Sequence, residues 1–82
     1  MLKIKDSVDL KELKKYGFRL EPERAYYYIL YEEFELFVWI TKNSDYKARH
    51  IYIEPKNHSM IMFKLDVVYS MIMDGIVEVS ND

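Results

Sequence analysis

Between Phe34 and Thr41 hydrophobic residues recur with a period of two: Phe34, Leu36, Val38 and Ile40 fall on one side of an extended chain. Glu35, Phe37, Trp39 and Thr41 fall on the other, so a strand is expected over 34–41. Tyr26 to Leu30 is a second run of strand-favouring aromatic and β-branched residues, and Arg49 to Glu54 is a third, ending at Pro55. Tyr31-Glu32-Glu33 turns the first run into the second, and the polar stretch 42–48 joins the second to the third. The three make an antiparallel meander.

Helical signals lie on either side of these strands. Asp9 is placed to cap a helix over 9–16, with Glu12 at the capping-box position and Val8 and Leu13 as a hydrophobic staple. Gly17 fits the left-handed stop position and brings Phe18 against Leu13, while Lys14 and Lys15 sit at the negative end of the helix dipole. Glu21-Pro22-Glu23-Arg24 reads as a turn. Further on, Leu65, Val68, Ile72 and Ile76 share a face at helical spacing, with Asp66 at the amino end and Gly75 at the stop, predicting a helix over 65–74. Met60 to Phe63 reads as a short strand or a helix start, with the strand favoured, and Ile76 to Val79 as a short closing strand at a sheet edge. The expected fold is α+β, an antiparallel sheet of three to five strands with two helices, in a single domain over residues 1–82.

Composition narrows the function classes without choosing one. Half of the residues are hydrophobic and 16% aromatic, far from a disordered composition. The chain has no cysteine, which excludes disulfides, thiolate metal sites and a catalytic thiol. Glu32, Glu33 and Glu35 interrupt the most hydrophobic region, leaving no run near the ~18 apolar residues of a membrane span, and the N-terminus lacks a signal-peptide stretch. A cytoplasmic setting is therefore expected. The formal net charge of −2 gives no cationic field for nonspecific nucleic-acid binding. His50 and His58 have no partner at metal-ligand spacing, the two glycines form no phosphate loop, and no serine has a nucleophile context. We therefore expect no enzyme, cofactor or metal.

The two faces of the 34–41 strand differ in kind, and that difference supplies the candidate site. If both helices cover the aliphatic face, Ile51 and Ile53 join it, and Phe37, Trp39 and Tyr52 are left opposite with Glu35, His50 and Glu54. Aromatic anchors ringed by polar groups are typical of protein interfaces. If one helix covers each face, both sets are core. Glu35, Phe37, Trp39 and Tyr52 are accordingly the candidate protein-binding residues. Tyr26, Tyr27, Tyr28 and Tyr31 must divide between the two sides, and the methionines of 60–62 and 71–73 fill core or offer an adaptable surface. A homodimer through the aromatic face or an edge strand is a further route to burying apolar area.

Two stretches, Ile4-Lys5-Asp6-Ser7-Val8-Asp9-Leu10-Lys11-Glu12-Leu13-Lys14-Lys15-Tyr16-Gly17-Phe18 and Leu65-Asp66-Val67-Val68-Tyr69 through Asp74-Gly75-Ile76-Val77-Glu78-Val79, resemble the two ends of small uncharacterised proteins of phages and prophages of Gram-positive bacteria. The resemblance covers about the outer thirds of the chain and transfers no active-site residues. It implies a phage accessory protein that acts by occupying a host protein's surface, anti-CRISPR and other anti-defence inhibitors being a subclass. A nucleic-acid-binding regulator and a virion or assembly component are the alternatives.

Overall fold

A computed structural model of the chain describes residues 1–56 and 65–81. The elements run in the order β1 (Leu2–Ile4), a 3-10 helix (Leu10–Tyr16), β2 (Arg19–Glu21), β3 (Tyr26–Leu30), β4 (Phe34–Trp39), β5 (Ile51–Pro55), α1 (Asp66–Met73) and β6 (Val77–Val79). β2-β3-β4-β5 form a four-stranded sheet and β1-β6 a two-stranded one, every named pairing being antiparallel. The α+β class and the antiparallel meander are as expected. The closing strand differs, since β6 pairs with β1 in a second sheet rather than edging the first. A bridge from Lys3 to His50 joins the two sheets.

The first helix keeps its anticipated ends but winds more tightly. Asp9 Oδ1 accepts the Lys11 N–H at 2.9 Å, and Gly17, at φ 96, closes the helix with its N–H on Lys14 O and the Phe18 N–H on Leu13 O. That pair of bonds is a Schellman stop. The Glu12 side chain turns to Lys15 Nζ, at 2.5 Å, instead of back to the Asp9 backbone. Cap and stop residues serve both helix types, so they do not reveal the winding. The spacing does: Leu10, Leu13 and Tyr16 recur every three residues, the repeat that aligns side chains in a 3-10 helix. Leu10 and Leu13 are buried and Tyr16 is half-buried.

In α1 the inward stripe is Val68 and Met71, with Leu65 and Val67 half-buried, while Ile72 is 45% exposed. The buried face is thus rotated by about one residue from the expected Leu65, Val68, Ile72 stripe. Gly75, at φ 75, ends the helix in a second Schellman arrangement, its N–H on Ile72 O and the Ile76 N–H on Met71 O.

Leu10 and Leu13 of the 3-10 helix and Val68 and Met71 of α1 share one core cluster with Tyr27, Leu36, Val38 and Ile51 of the large sheet. Both helices therefore pack on the same face of that sheet. Leu13, Leu36, Val38 and Met71 have essentially no solvent exposure, and full burial of such a side chain contributes about 1.5–3 kcal/mol. The sequence run 60–63, with its expected strand, and His58 lie outside the described residues.

Candidate functional site

With the helices on the Leu36 and Val38 side, alternation sends a different set of residues to the opposite face. Cross-strand pairing aligns Tyr26 with Trp39, Tyr28 with Phe37, Phe37 with Tyr52, and Glu35 with Glu54. The four predicted residues, Glu35, Phe37, Trp39 and Tyr52, thus occupy one face on two neighbouring strands. His50, expected among them, is buried at the sheet junction. Its Nδ1 donates to Ala48 O at 2.8 Å, and its Nε2 is hydrogen-bonded to the Ser80 hydroxyl at 2.9 Å.

The aromatic face is not an open patch, because the loop between β4 and β5 folds Tyr46 onto it. Asn43 Oδ1 accepts the N–H groups of Asp45 and Tyr46 at 2.8 and 2.9 Å, and Asn43 N–H donates to Tyr46 O at 3.0 Å. Asn favours such a turn because its side chain replaces a backbone acceptor. The Lys47 N–H donates to the Tyr52 hydroxyl at 2.8 Å, fixing the loop to the sheet. Tyr46 then stacks on Trp39 with ring centroids 5.7 Å apart and meets Phe37 and Tyr52 edge-on at 5.0 and 4.8 Å. Phe37 also stacks on Tyr52 at 5.5 Å, and Tyr26 lies 4.9 Å from Trp39. At 4% exposure, Phe37 is the floor of this cluster rather than a contact surface. Sequence reasoning missed Tyr46, which lies in a polar stretch; Asn43 three residues earlier was its one local signal.

Beside the cluster is a pocket of about 150 Å³, lined by Tyr26, Phe37, Trp39, Tyr46, Glu35, Glu54 and Arg24. Burial, and then the neighbouring Glu54 carboxylate, push the Glu35 carboxyl above its ordinary range, with Lys56 and Arg24 pulling the other way. Neither Glu35 nor Glu54 has an ion-pair partner among the described residues. Trp39 Nε1 is buried with no hydrogen-bond partner. Such an unmet donor costs about 1–3 kcal/mol, and unmet donors call for a structural or functional reason.

Two other surfaces are less suited to binding. The cavity of about 400 Å³ beside Lys3, Lys42, Lys47 and Arg49 is basic, but its central cation is engaged by the fold: Arg49 donates from Nε to Ile4 O at 3.3 Å and from Nη2 to Lys5 O at 2.6 Å and to Val8 O. Lys3 is paired with Asp6 and Glu78. On α1, Tyr69, Ile72 and Met73 are 66%, 45% and 68% exposed, while Met71 is core. No helix among the described residues is long and apolar enough to cross a membrane, and no group of three or more His, Asp or Glu among them is placed to hold a metal.

The geometry defines a small α+β protein with an aromatic sheet face on the side away from its helices. A scan against protein-family models, a search of curated proteins and a search of solved structures each return no match.

Proposed function

We propose that this chain is a binding protein that engages another protein through the aromatic face of its large sheet. The observation that carries the reading is the coexistence, on the face that the helices leave alone, of a packed aromatic cluster and a pocket opening beside it. Packed Tyr and Trp side chains give large contact area at low conformational cost, and interface hot spots are enriched in both. Glu35 and Glu54 on that face disfavour a phosphate backbone, which sets the protein reading ahead of the nucleic-acid one. In the phage or prophage setting suggested by the chain ends, the partner is a host protein that is inhibited or modulated by surface occupation, anti-defence inhibition included. This reading gives the chain no catalytic step.

The test is affinity capture by the tagged full chain from nuclease-treated host-cell lysate, alongside Trp39→Ala and a control, Met73→Glu, on the exposed side of α1. A saturable, stoichiometric partner retained by the control and lost by Trp39→Ala, with circular dichroism unchanged, supports the proposal. Recovery only of nucleic acid, from a parallel lysate left without nuclease, would instead favour the regulator, and a partner indifferent to Trp39 would move the interface elsewhere.

A further inference from the structure

Glu35 and Glu54 are directly opposite on neighbouring antiparallel strands, an arrangement in which like charges repel. Both line the small pocket, and its remaining walls are largely the rings of Tyr26, Phe37, Trp39 and Tyr46. Carboxylates attract a cation by charge, and ring faces attract it by their quadrupole. The two kinds of wall therefore select the same guest. The volume of about 150 Å³ is well below the ~300–1,000 Å³ of pockets for drug-sized ligands, so the space suits one side-chain head group.

We infer that the pocket receives an arginine side chain of the partner protein, its guanidinium held between the Glu35 and Glu54 carboxylates and the rings of Tyr26, Trp39 and Tyr46. This rests on the reading that the aromatic face meets a protein. Arginine fits better than lysine because its planar fork can meet two carboxylates, it stacks on aromatic rings, and it sheds water more readily than an ammonium. A metal ion is a poorer guest, since two carboxylates and no histidine line the pocket. The one resident cation at the lining is Arg24, which is exposed and makes no ion pair with either carboxylate. It competes with an incoming arginine by repulsion.

Trp39 is the only tryptophan, so its fluorescence reports on the pocket without labels. The full chain is titrated with N-acetyl-arginine-methylamide and, separately, with the citrulline analogue, which has nearly the same shape without the charge. The expected result is a saturable change for the arginine probe with a Kd on the order of millimolar, as befits so small a ligand, and no response to citrulline. Glu35→Gln and Glu54→Gln should each weaken the arginine probe about tenfold, the loss of one charge-assisted contact. Arg24→Ala should tighten it, a gain that damage to the fold would not produce. An equal response to both probes, no saturable response to arginine, or affinity unchanged in both Gln variants would overturn the inference. If a partner is captured through Trp39 but ignores both Gln substitutions, the arginine pocket fails while the interface stands. Glu35-dependent binding of the probe in a chain that captures no protein would sustain the guanidinium pocket and sink the interface reading.

Discussion

Tyr46 lies flat on Trp39, the ring planes 12° apart, although one is carried by a loop and the other by the end of β4. The contact depends on Asn43, whose side-chain oxygen holds the Asp45 and Tyr46 amides and so directs the ring inward. We expect Asn43→Ala and Tyr46→Ala both to shift Trp39 emission to longer wavelength while far-ultraviolet circular dichroism stays unchanged. An unshifted emission in Tyr46→Ala would mean that the stack does not shield the indole. Because the same loop builds one wall of the pocket, both substitutions should also weaken capture of the partner.

Arg49 holds together segments far apart in sequence. It sits at φ 65, a conformation costing a non-glycine residue about 1–2 kcal/mol, while its guanidinium collects the carbonyls of Ile4, Lys5 and Val8. Its backbone N–H also donates to Trp39 O at 2.8 Å, and its carbonyl accepts the Ile4 N–H at 2.8 Å. Lysine cannot reproduce a fork that serves three acceptors. Arg49→Lys should lower unfolding stability by about 1.5–3 kcal/mol in urea titrations, the range for hydrogen bonds to a charged group. Asp6→Asn, which removes only the exposed 3.7 Å ion pair to Arg49 and the one to Lys3, should cost no more than about 1 kcal/mol. Equal losses in the two variants would contradict this division of labour.

The ends of the two helices are linked by Tyr16, whose hydroxyl donates to Asp74 Oδ2 at 2.6 Å. That hydrogen bond, followed by burial and the negative charge of Asp74, pushes the phenol up to about 12 from its ordinary 10.0. Only the neutral phenol donates, so the stabilisation is complete below the unfolded value of 10.0 and is lost as pH rises towards 12. Tyr16→Phe should cost about 0.5–1 kcal/mol at neutral pH, a small figure because the pair is solvent-accessible. The gap between wild type and variant should close between those two pH values. Parallel stability curves through that range would show that the bond contributes nothing to folding.

Much of the fold was legible in the sequence because local chemistry sets it. Asp9, Gly17 and Gly75 act at the helix ends where their residue types demand, and the alternation through β4 sorts Leu36 from Phe37 to opposite faces. Of the three-residue strands, β6 was recognised, and β1 and β2 were not. Leu2-Lys3-Ile4 and Arg19-Leu20-Glu21 each alternate, but so short a pattern acquires meaning only through the partners that β6 and β3 supply. The candidate site was legible in part for the same reason. Alternation along β4 placed Glu35, Phe37 and Trp39 together, and that along β5 placed Tyr52 and Glu54. Facing across the strands depends on register, so the opposition of Glu35 and Glu54 and the arrival of Tyr46 could be seen only in three dimensions.

That opposition makes the carboxylate pair unfavourable to the fold itself. Glu35 titrates above its ordinary range, so the folded chain binds its proton more tightly than the unfolded chain does. Through this group, stability should rise as pH falls through the raised value and level off below the ordinary carboxylate range. Burial alone would give the same sign, so pH dependence of the wild type does not isolate the contribution of Glu54. Glu54→Gln does: it removes the repulsion while leaving Glu35 where it is. We expect it to stabilise the chain by about 0.2–0.5 kcal/mol at neutral pH, a modest gain because both groups are partly solvated, and to flatten the acid-side rise in urea-denaturation midpoints. If the same substitution also weakens the arginine probe, the charge pair is serving ligand binding at the expense of stability, the trade expected of a functional site. If neither it nor Glu35→Gln changes probe affinity, the pair is only a local electrostatic conflict, and the cation is bound elsewhere or not at all.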